Sequence, residues 1–181
     1  GGNNSIKYGL LNNTIYSQVV SDSSMGLLSI TTPVNIGISG TVIRGVCLSY
    51  DAKKLIISYN GQISTYIYTN STWTLINSYT ASGIVYGVSC TANGNRIIFV
   101  IASSGAYYAD WNTNTSSYST PIQILNTVYP FSVSSTPDGN ILLFGSPSSS
   151  VAVYYSIWNG SSYSSSIAVT GCTAGSYSYR N

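Results

Sequence analysis

Histidine and glutamate are absent from this 181-residue chain, and charged residues of every kind make up only 6% of it. Without histidine, no Ser-His-Asp or Cys-His constellation can be written. The acids are Asp22, Asp51, Asp110 and Asp138, and metal clusters need His, Cys and carboxylates together. Glycoside cleavage asks for two facing carboxylates. Asp51 and Asp138 instead fall at equivalent turn positions of different repeats, where aspartate serves the turn. The shortage of acid–base groups argues against an enzyme, and no cofactor is expected.

Other shortages narrow the field further. The formal charge is +2, from Lys7, Lys53, Lys54, Arg44, Arg96 and Arg180. They form no basic stripe, which argues against nucleic-acid binding. No apolar run approaches the length of a membrane span. Cysteine occurs three times, at Cys47, Cys90 and Cys172, without metal-like spacing. One disulfide plus one thiol, of undetermined pairing, fits an oxidising compartment, and three buried thiols in strands fit equally. The chain begins Gly1-Gly2-Asn3-Asn4 without methionine, so either a leader has been removed or this is a fragment.

In place of charge stand Ser, Thr, Asn, Gly and 17 tyrosines, while the hydrophobic fraction is an ordinary 44%. That excludes a disordered polar chain. Such a surface is hydrated through hydroxyls and amides, and cytosolic proteins hold more charge for solubility. A secreted or surface-displayed setting follows as the expectation.

A repeat organises the chain. From Gly45 to Thr80, four short β-type runs are separated by turn residues, which spells a four-stranded antiparallel meander. Val46, Val88 and Val133 open equivalent strands, 42 and 45 residues apart. Asp51-Ala52, Asn93-Gly94 and Asp138-Gly139 then read as type I′ hairpin turns, which need positive φ at both central residues. A second hairpin follows, with Tyr66 and Tyr68, Tyr107 and Tyr108, and Tyr154 and Tyr155 on its incoming strand. Trp73, Tyr118 and Tyr163 open its outgoing strand, as suits ladders of paired aromatic and β-branched residues.

The N-terminus supplies a copy without its first strand: Ile6–Leu11, Ile15–Val20 and Met25–Thr32, with Asn12-Asn13 placed like Asn60-Gly61. Pro33–Gly40 reads as the connection onward. At the other end, Ser166–Thr170 closes the last full unit and Tyr177-Ser178-Tyr179 falls where a first strand is due. The spacing predicts one domain over 1–181, with repeats at about 45–86, 87–130 and 131–171 and a split unit from 172–181 plus 1–44.

This pattern resembles a β-propeller, an all-β fold of about four four-stranded antiparallel blades, one of them shared between the termini. The Thr136-Pro137-Asp138-Gly139-Asn140 run is similar to the turn of WD40-like and other secreted propeller repeats. The Gly-His and Trp-Asp dipeptides of WD40 blades are missing, and Asp110-Trp111 has the reverse order. Asn70-Ser71-Thr72-Trp73 and Ser21-Asp22-Ser23-Ser24 are similar to shortened Asp-boxes of sialidase-type repeats. The arginine cluster of sialidases would fall to Arg44, Arg96 and Arg180, but the glutamate it works with is missing. Two other arrangements compete: a β-sandwich of about fifteen strands, and the same units with the terminal strand given to a neighbouring molecule.

Two sets of residues are candidates for binding or modification. Trp73, Trp111 and Trp158, one per full unit, either hold sugar rings or pack between neighbouring sheets, and packing is the commoner role. Sequons for N-glycosylation occur at Asn3, Asn12, Asn70, Asn114 and Asn159. Three recur in the same hairpin turn, although a chain so rich in Ser and Thr also produces sequons by accident. The expectation is a non-enzymatic extracellular structural or adhesive module that self-assembles into a filament, surface layer or virion coat. Low charge removes the repulsion between copies, and tyrosine is favoured at contacts. A lectin-like carbohydrate-binding propeller is the alternative.

Overall fold

The computed structural model describes the backbone of residues 4–11, 14–21, 29–30 and 34–35, and in full residues 36, 38, 42–126, 130–147 and 152–172. Among these residues there are strands and no helix. The first sheet holds β1 (Asn4–Leu11), β2 (Thr14–Ser21), β3 (Ser29–Ile30) and β4 (Val34–Asn35). The second runs β5 (Ile43–Leu48), β6 (Lys54–Tyr59), β7 (Gln62–Thr69) and β8 (Thr72–Thr80) in simple antiparallel order. The third follows suit with β9 (Val85–Cys90), β10 (Arg96–Ile101), β11 (Gly105–Asn112), β12 (Ser117–Tyr118) and β13 (Ile122–Leu125). The fourth holds β14 (Ser132–Ser135), β15 (Ile141–Gly145), β16 (Val153–Ile157) and β17 (Ile167–Ala168). Four consecutive meanders make a small β-propeller-like fold.

Strand identity follows from burial on both faces. β6 and β10 read Leu-Ile-Ile-Ser and Ile-Ile-Phe-Val, all fully buried, because each lies mid-sheet with a layer above and below. Alternate residues feed opposite layers. Ile56 and Ile63 of the second sheet meet Val85, Val88, Ile97 and Phe99 of the third. Ile98, Val100 and Tyr108 leave the third sheet's other face and meet Leu142 and Phe144 of the fourth. Leu55, Ile57 and Tyr66 are covered by Ile36 and Ile38, on the segment entering the second sheet.

The first strands of neighbouring sheets come very close. β5 lies against β9, and β9 against β14. A Cβ placed on Gly45 would sit 2.8 Å from both the Val88 amide nitrogen and Ser58 Oγ. On Gly87 it would sit 3.5 Å from the backbone of Phe131 and Ser132. The turns that follow are also linked: Tyr50 N–H donates to the Ala92 carbonyl at 2.6 Å, and Ala92 N–H to that of Pro137 at 2.6 Å. These three residues hold the same place in successive repeats.

Those turns differ from the type I′ expectation. The connection after β5 spans residues 49–53: Ser49 and Lys54 close it, Ala52 N–H bonds the Ser49 carbonyl, and Ala52 alone is left-handed, at φ 56°. Gly94 (φ 63°) and Gly139 (φ 75°) take the same place. The longer loop forms because side chains supply its bonds. The hydroxyls of Ser49, Thr91 and Thr136 donate to Asp51, Asn93 and Asp138 at 2.6, 2.9 and 2.6 Å. The same hydroxyls accept from the amides of Lys54, Arg96 and Ile141. Both residues are left-handed at Asn60-Gly61 (φ 43° and 75°) and Asn70-Ser71 (φ 50° and 64°), as a type I′ turn requires.

The N-terminal copy pairs as a hairpin, Leu11 opposite Thr14 and Asn4 opposite Ser21. Its outer strand continues further than the sequence suggested. After Ser29–Ile30, Val34–Asn35 also pairs with β2, inside the segment expected to be a plain connection. Tyr177–Tyr179, proposed to complete this sheet, lie outside the described residues.

Gly45→Ala is expected to cost about 1–3 kcal/mol, the penalty for overpacking, because two of the three nearest obstacles are backbone. A lowered urea midpoint at unchanged slope would check this; an unchanged midpoint would mean the strands separate freely.

Candidate functional site

The polar chemistry of the described chain gathers at the end of the sheets where these turns lie. β10 opens with Arg96, directly opposite Asp110 on β11. The guanidinium grips that carboxylate with two bonds, Nε to Oδ1 at 2.6 Å and Nη2 to Oδ2 at 2.8 Å. Its flat face lies 4.0 Å from the Trp158 ring centroid in the next sheet and 4.8 Å from that of Tyr108. Nη1 reaches the Tyr163 hydroxyl at 3.4 Å, and that hydroxyl donates to the Gly139 carbonyl at 2.6 Å. The hydrogen bonds to Asp110 hold the arginine pKa above its ordinary range, against the opposing effect of burial.

One joint earlier the arrangement recurs with lysine. Lys54 Nζ lies 4.6 Å over Trp111 and donates to the Gly94 carbonyl and to Asn95 Oδ1. Tyr118 stands where Tyr163 stands and donates to the Gly94 carbonyl at 2.7 Å. Burial lowers the Lys54 pKa, with Asp51 and Cys90 partly restoring it. Each cation thus ties its sheet to the tryptophan of the next, a contact worth roughly 0.5–2 kcal/mol when partly desolvated.

Between the third and fourth sheets this end opens into a cleft of about 380 Å³, lined among others by Asn93, Arg96, Asp110, Asp138, Asn140 and Trp158. Its groups already have partners. Asp138 accepts from the Thr136 hydroxyl, then from the Asn140 backbone and amide, which keeps its pKa below the usual carboxylate value. Asp110 is held by Arg96. Near neutral pH Asp138 acts as a fixed acceptor rather than a proton carrier. Among the described residues, no group of three or more His, Cys, Asp or Glu is placed to hold a metal, and no helix is long and apolar enough to cross a membrane.

The predicted site residues are distributed as follows. Trp111 and Trp158 face cations across the joints. Trp73 meets Tyr68 at a tilt with centroids 5.1 Å apart and packs beside Leu55 and Ile57, its buried Nε1 lacking a partner. Asn70, Asn114 and Asn159 are exposed in three equivalent turns at the cleft end, whereas Asn3 and Asn12 lie outside the described residues. Arg44 sits 4.9 Å over Tyr86, apart from the Arg96 cluster; Arg180 and Asp22 are outside the described residues. Cys47 and Cys90 pack into one core layer, and Cys172 lies beyond β17. Sequence reasoning missed the Arg96–Asp110–Trp158 assembly. Its signal was a cation eight residues after Val46 and again after Val88, matched by a tryptophan in each following unit.

No family model matches the chain, and no curated protein resembles it in sequence. Solved structures do match in fold, 739 chains of them. Hydrazine synthase of Kuenenia stuttgartiensis is similar at 13% identity and a TM-score of 0.56, over 72% of this chain and 37% of that one. A Bacteroides uniformis protein described as a 6-phosphogluconolactonase shares 14% identity, with a TM-score of 0.60, over 87% and 52%. The Cps50 (Swd1) β-propeller domain of Myceliophteria thermophila shares 9%, with a TM-score of 0.57, over 87% and 56%. The chain therefore spans between about a third and somewhat over half of these structures. A fold shared by such differently named proteins defines the architecture, a small β-propeller, and leaves the chemistry to the site.

Arg96→Ala should destabilise the protein by about 1–3 kcal/mol, since an aromatic-stacked, bidentate ion pair is lost. The urea midpoint measures it, and a neutral effect would show the joint to be held by apolar packing alone. The pH profile should be plain as well. Asp51 and Asp138 have folded pKa values below their unfolded ones, so their contribution is present above roughly pH 4 and lost as pH falls through the folded values. With no histidine or glutamate to titrate, the melting temperature should stay level between about pH 5 and 7 and drop only below about pH 4. A slope between pH 5 and 7 would contradict this.

Proposed function

We propose that this chain is a non-enzymatic structural or adhesive module of an extracellular or surface assembly, built by association of copies through the free face of the fourth sheet. The supporting observation is an incomplete joint. Ile56 and Ile98 hold equivalent places in the second and third sheets and are fully buried against the sheet that follows. Leu143 holds that place in the fourth sheet and is 46% exposed. Its cross-strand neighbours continue the patch: Leu143 pairs with Tyr155 and Tyr155 with Ile167, while Ile141 pairs with Ile157. Ile141, Ile157 and Ile167 are each more than 40% exposed. A contiguous apolar sheet face of this kind is where another sheet docks.

The occupant proposed is the N-terminal sheet of another copy, since each described sheet-to-sheet joint in this fold is one meander on the next. A head-to-tail contact of that kind extends into a filament or layer. The scarcity of charge favours the same outcome. Exposed sequons at Asn70, Asn114 and Asn159 leave room for glycans at the cleft end, in keeping with an extracellular setting. Kinship with WD40-like or sialidase-type repeats is proposed on the Thr136–Asn140 turn and the Asn70–Trp73 run. A second reading, carbohydrate binding, draws on Trp158, Asn93 and Asn140 lining one cleft.

Light scattering over a concentration series tests the proposal. The expected mass rises beyond the 19.2 kDa monomer, and Leu143→Asp returns it to the monomer with an unchanged far-UV spectrum. A wild type that stays monomeric while Leu143→Asp unfolds would mean that the chain's own N-terminal sheet fills the face, and self-assembly falls. A monomer retained on a sugar column would support the second reading instead.

A further inference from the structure

We infer that Cys47 and Cys90 are a disulfide-forming pair, a modification site that fastens the second sheet to the third in an oxidising environment. The two strands run side by side in the same direction, and the pair is bracketed by close backbone approaches. Two residues before Cys47, Gly45 meets the Val88 amide, which lies two residues before Cys90. Three residues after Cys47, Tyr50 N–H bonds the carbonyl of Ala92, two residues after Cys90. Between these clamps the two strands stay close, and a disulfide needs Cα atoms about 4.4–6.8 Å apart. Both side chains pack into the same core layer, that of Ile56, Val88 and Ile97, and the two thiols act on each other's ionisation.

The Lys54 charge acts on Cys90, which favours that thiol as the first to react. Burial, then the contact with Cys90, pushes the Cys47 thiol above its ordinary value. Cys90 is held below its ordinary value, first by the hydrogen bond from Cys47 and then by the Lys54 charge, against its own burial. Both residues keep partial exposure, and oxidised glutathione is the oxidant proposed. The Cys90 thiolate attacks one glutathione sulfur, the glutathione S–S bond breaks, and one glutathione thiolate leaves and takes up a proton. Cys47, giving its proton to water, then attacks Cys90 Sγ and expels the second glutathione. Two protein thiols lose two electrons, and one oxidised glutathione becomes two reduced molecules. Cys172, beyond β17 with its carbonyl accepting from Ala152 N–H, is left as the unpaired third thiol.

The experiment equilibrates the full chain in oxidised or reduced glutathione, blocks free thiols with N-ethylmaleimide, and maps peptides by mass spectrometry. The expected result is a Cys47–Cys90 linked peptide, two hydrogens lighter than its parts, with Cys172 alkylated. Closing this loop should raise the melting temperature by roughly 5–15 °C. Cys172→Ser should keep that shift, and Cys90→Ser should remove it. Glutathione retained on Cys90 without a link, or a bridge to Cys172, would overturn the pairing. The peptide map of the wild type decides even if a variant fails to fold.

Discussion

The close packing of first strands at Gly45 is the constraint on which the other joints depend. With no Cβ at Gly45, β5 approaches β9 until a side-chain carbon would clash with the Val88 amide, while at Gly87 β9 meets β14 with room for an ordinary contact. That separation is fixed by backbone, so the sheets fan outward from it. Their faces then meet at the distance that lets Ile56 reach Phe99, and Ile98 reach Phe144. A wider axis would leave both layers underpacked, at a cost comparable to that of a core cavity.

The repeat was legible in the sequence because its turns are spelled by residues with few conformational alternatives. Asn60-Gly61 fixes a tight hairpin unaided, and the short apolar runs of β6 and β10 mark strands buried on both faces. The first turn of each unit was placed correctly but given the wrong form. Asp-Gly and Asn-Gly suggest a two-residue loop, while the Ser or Thr two residues earlier supplies a hydroxyl that both caps the carboxylate or amide and receives the returning amide. Such side-chain bonds compete with the local backbone preference. The cation–tryptophan joints were less legible, since their partners lie more than fifty residues apart in sequence and only the equal offsets within successive repeats connect them. In the outer strand of the third sheet, Pro121 falls between β12 and β13, where its missing N–H is tolerated at an edge.

The same cation–aromatic pairs explain why so few charges suffice. Arg96 meets Asp110, Trp158 and Tyr163 at once, so one guanidinium joins two strands and two sheets. Lys54 does the same with a point charge and two carbonyl-type acceptors. Where Ile141 takes the equivalent place in the fourth sheet, the register offers an aliphatic side chain to whatever packs there. The three positions set different requirements on their neighbours, so the sheets are not interchangeable although their meanders are.

The amide-to-carbonyl links between successive turns run one way, from Tyr50 to Ala92 to Pro137. Proline has no amide hydrogen to pass the relay onward. Among the described residues, the main-chain cord along this end therefore stops at Pro137. Local opening begins where backbone bonding is thin, so the turn at Pro137, which cannot donate onward, is where this relay is expected to loosen first.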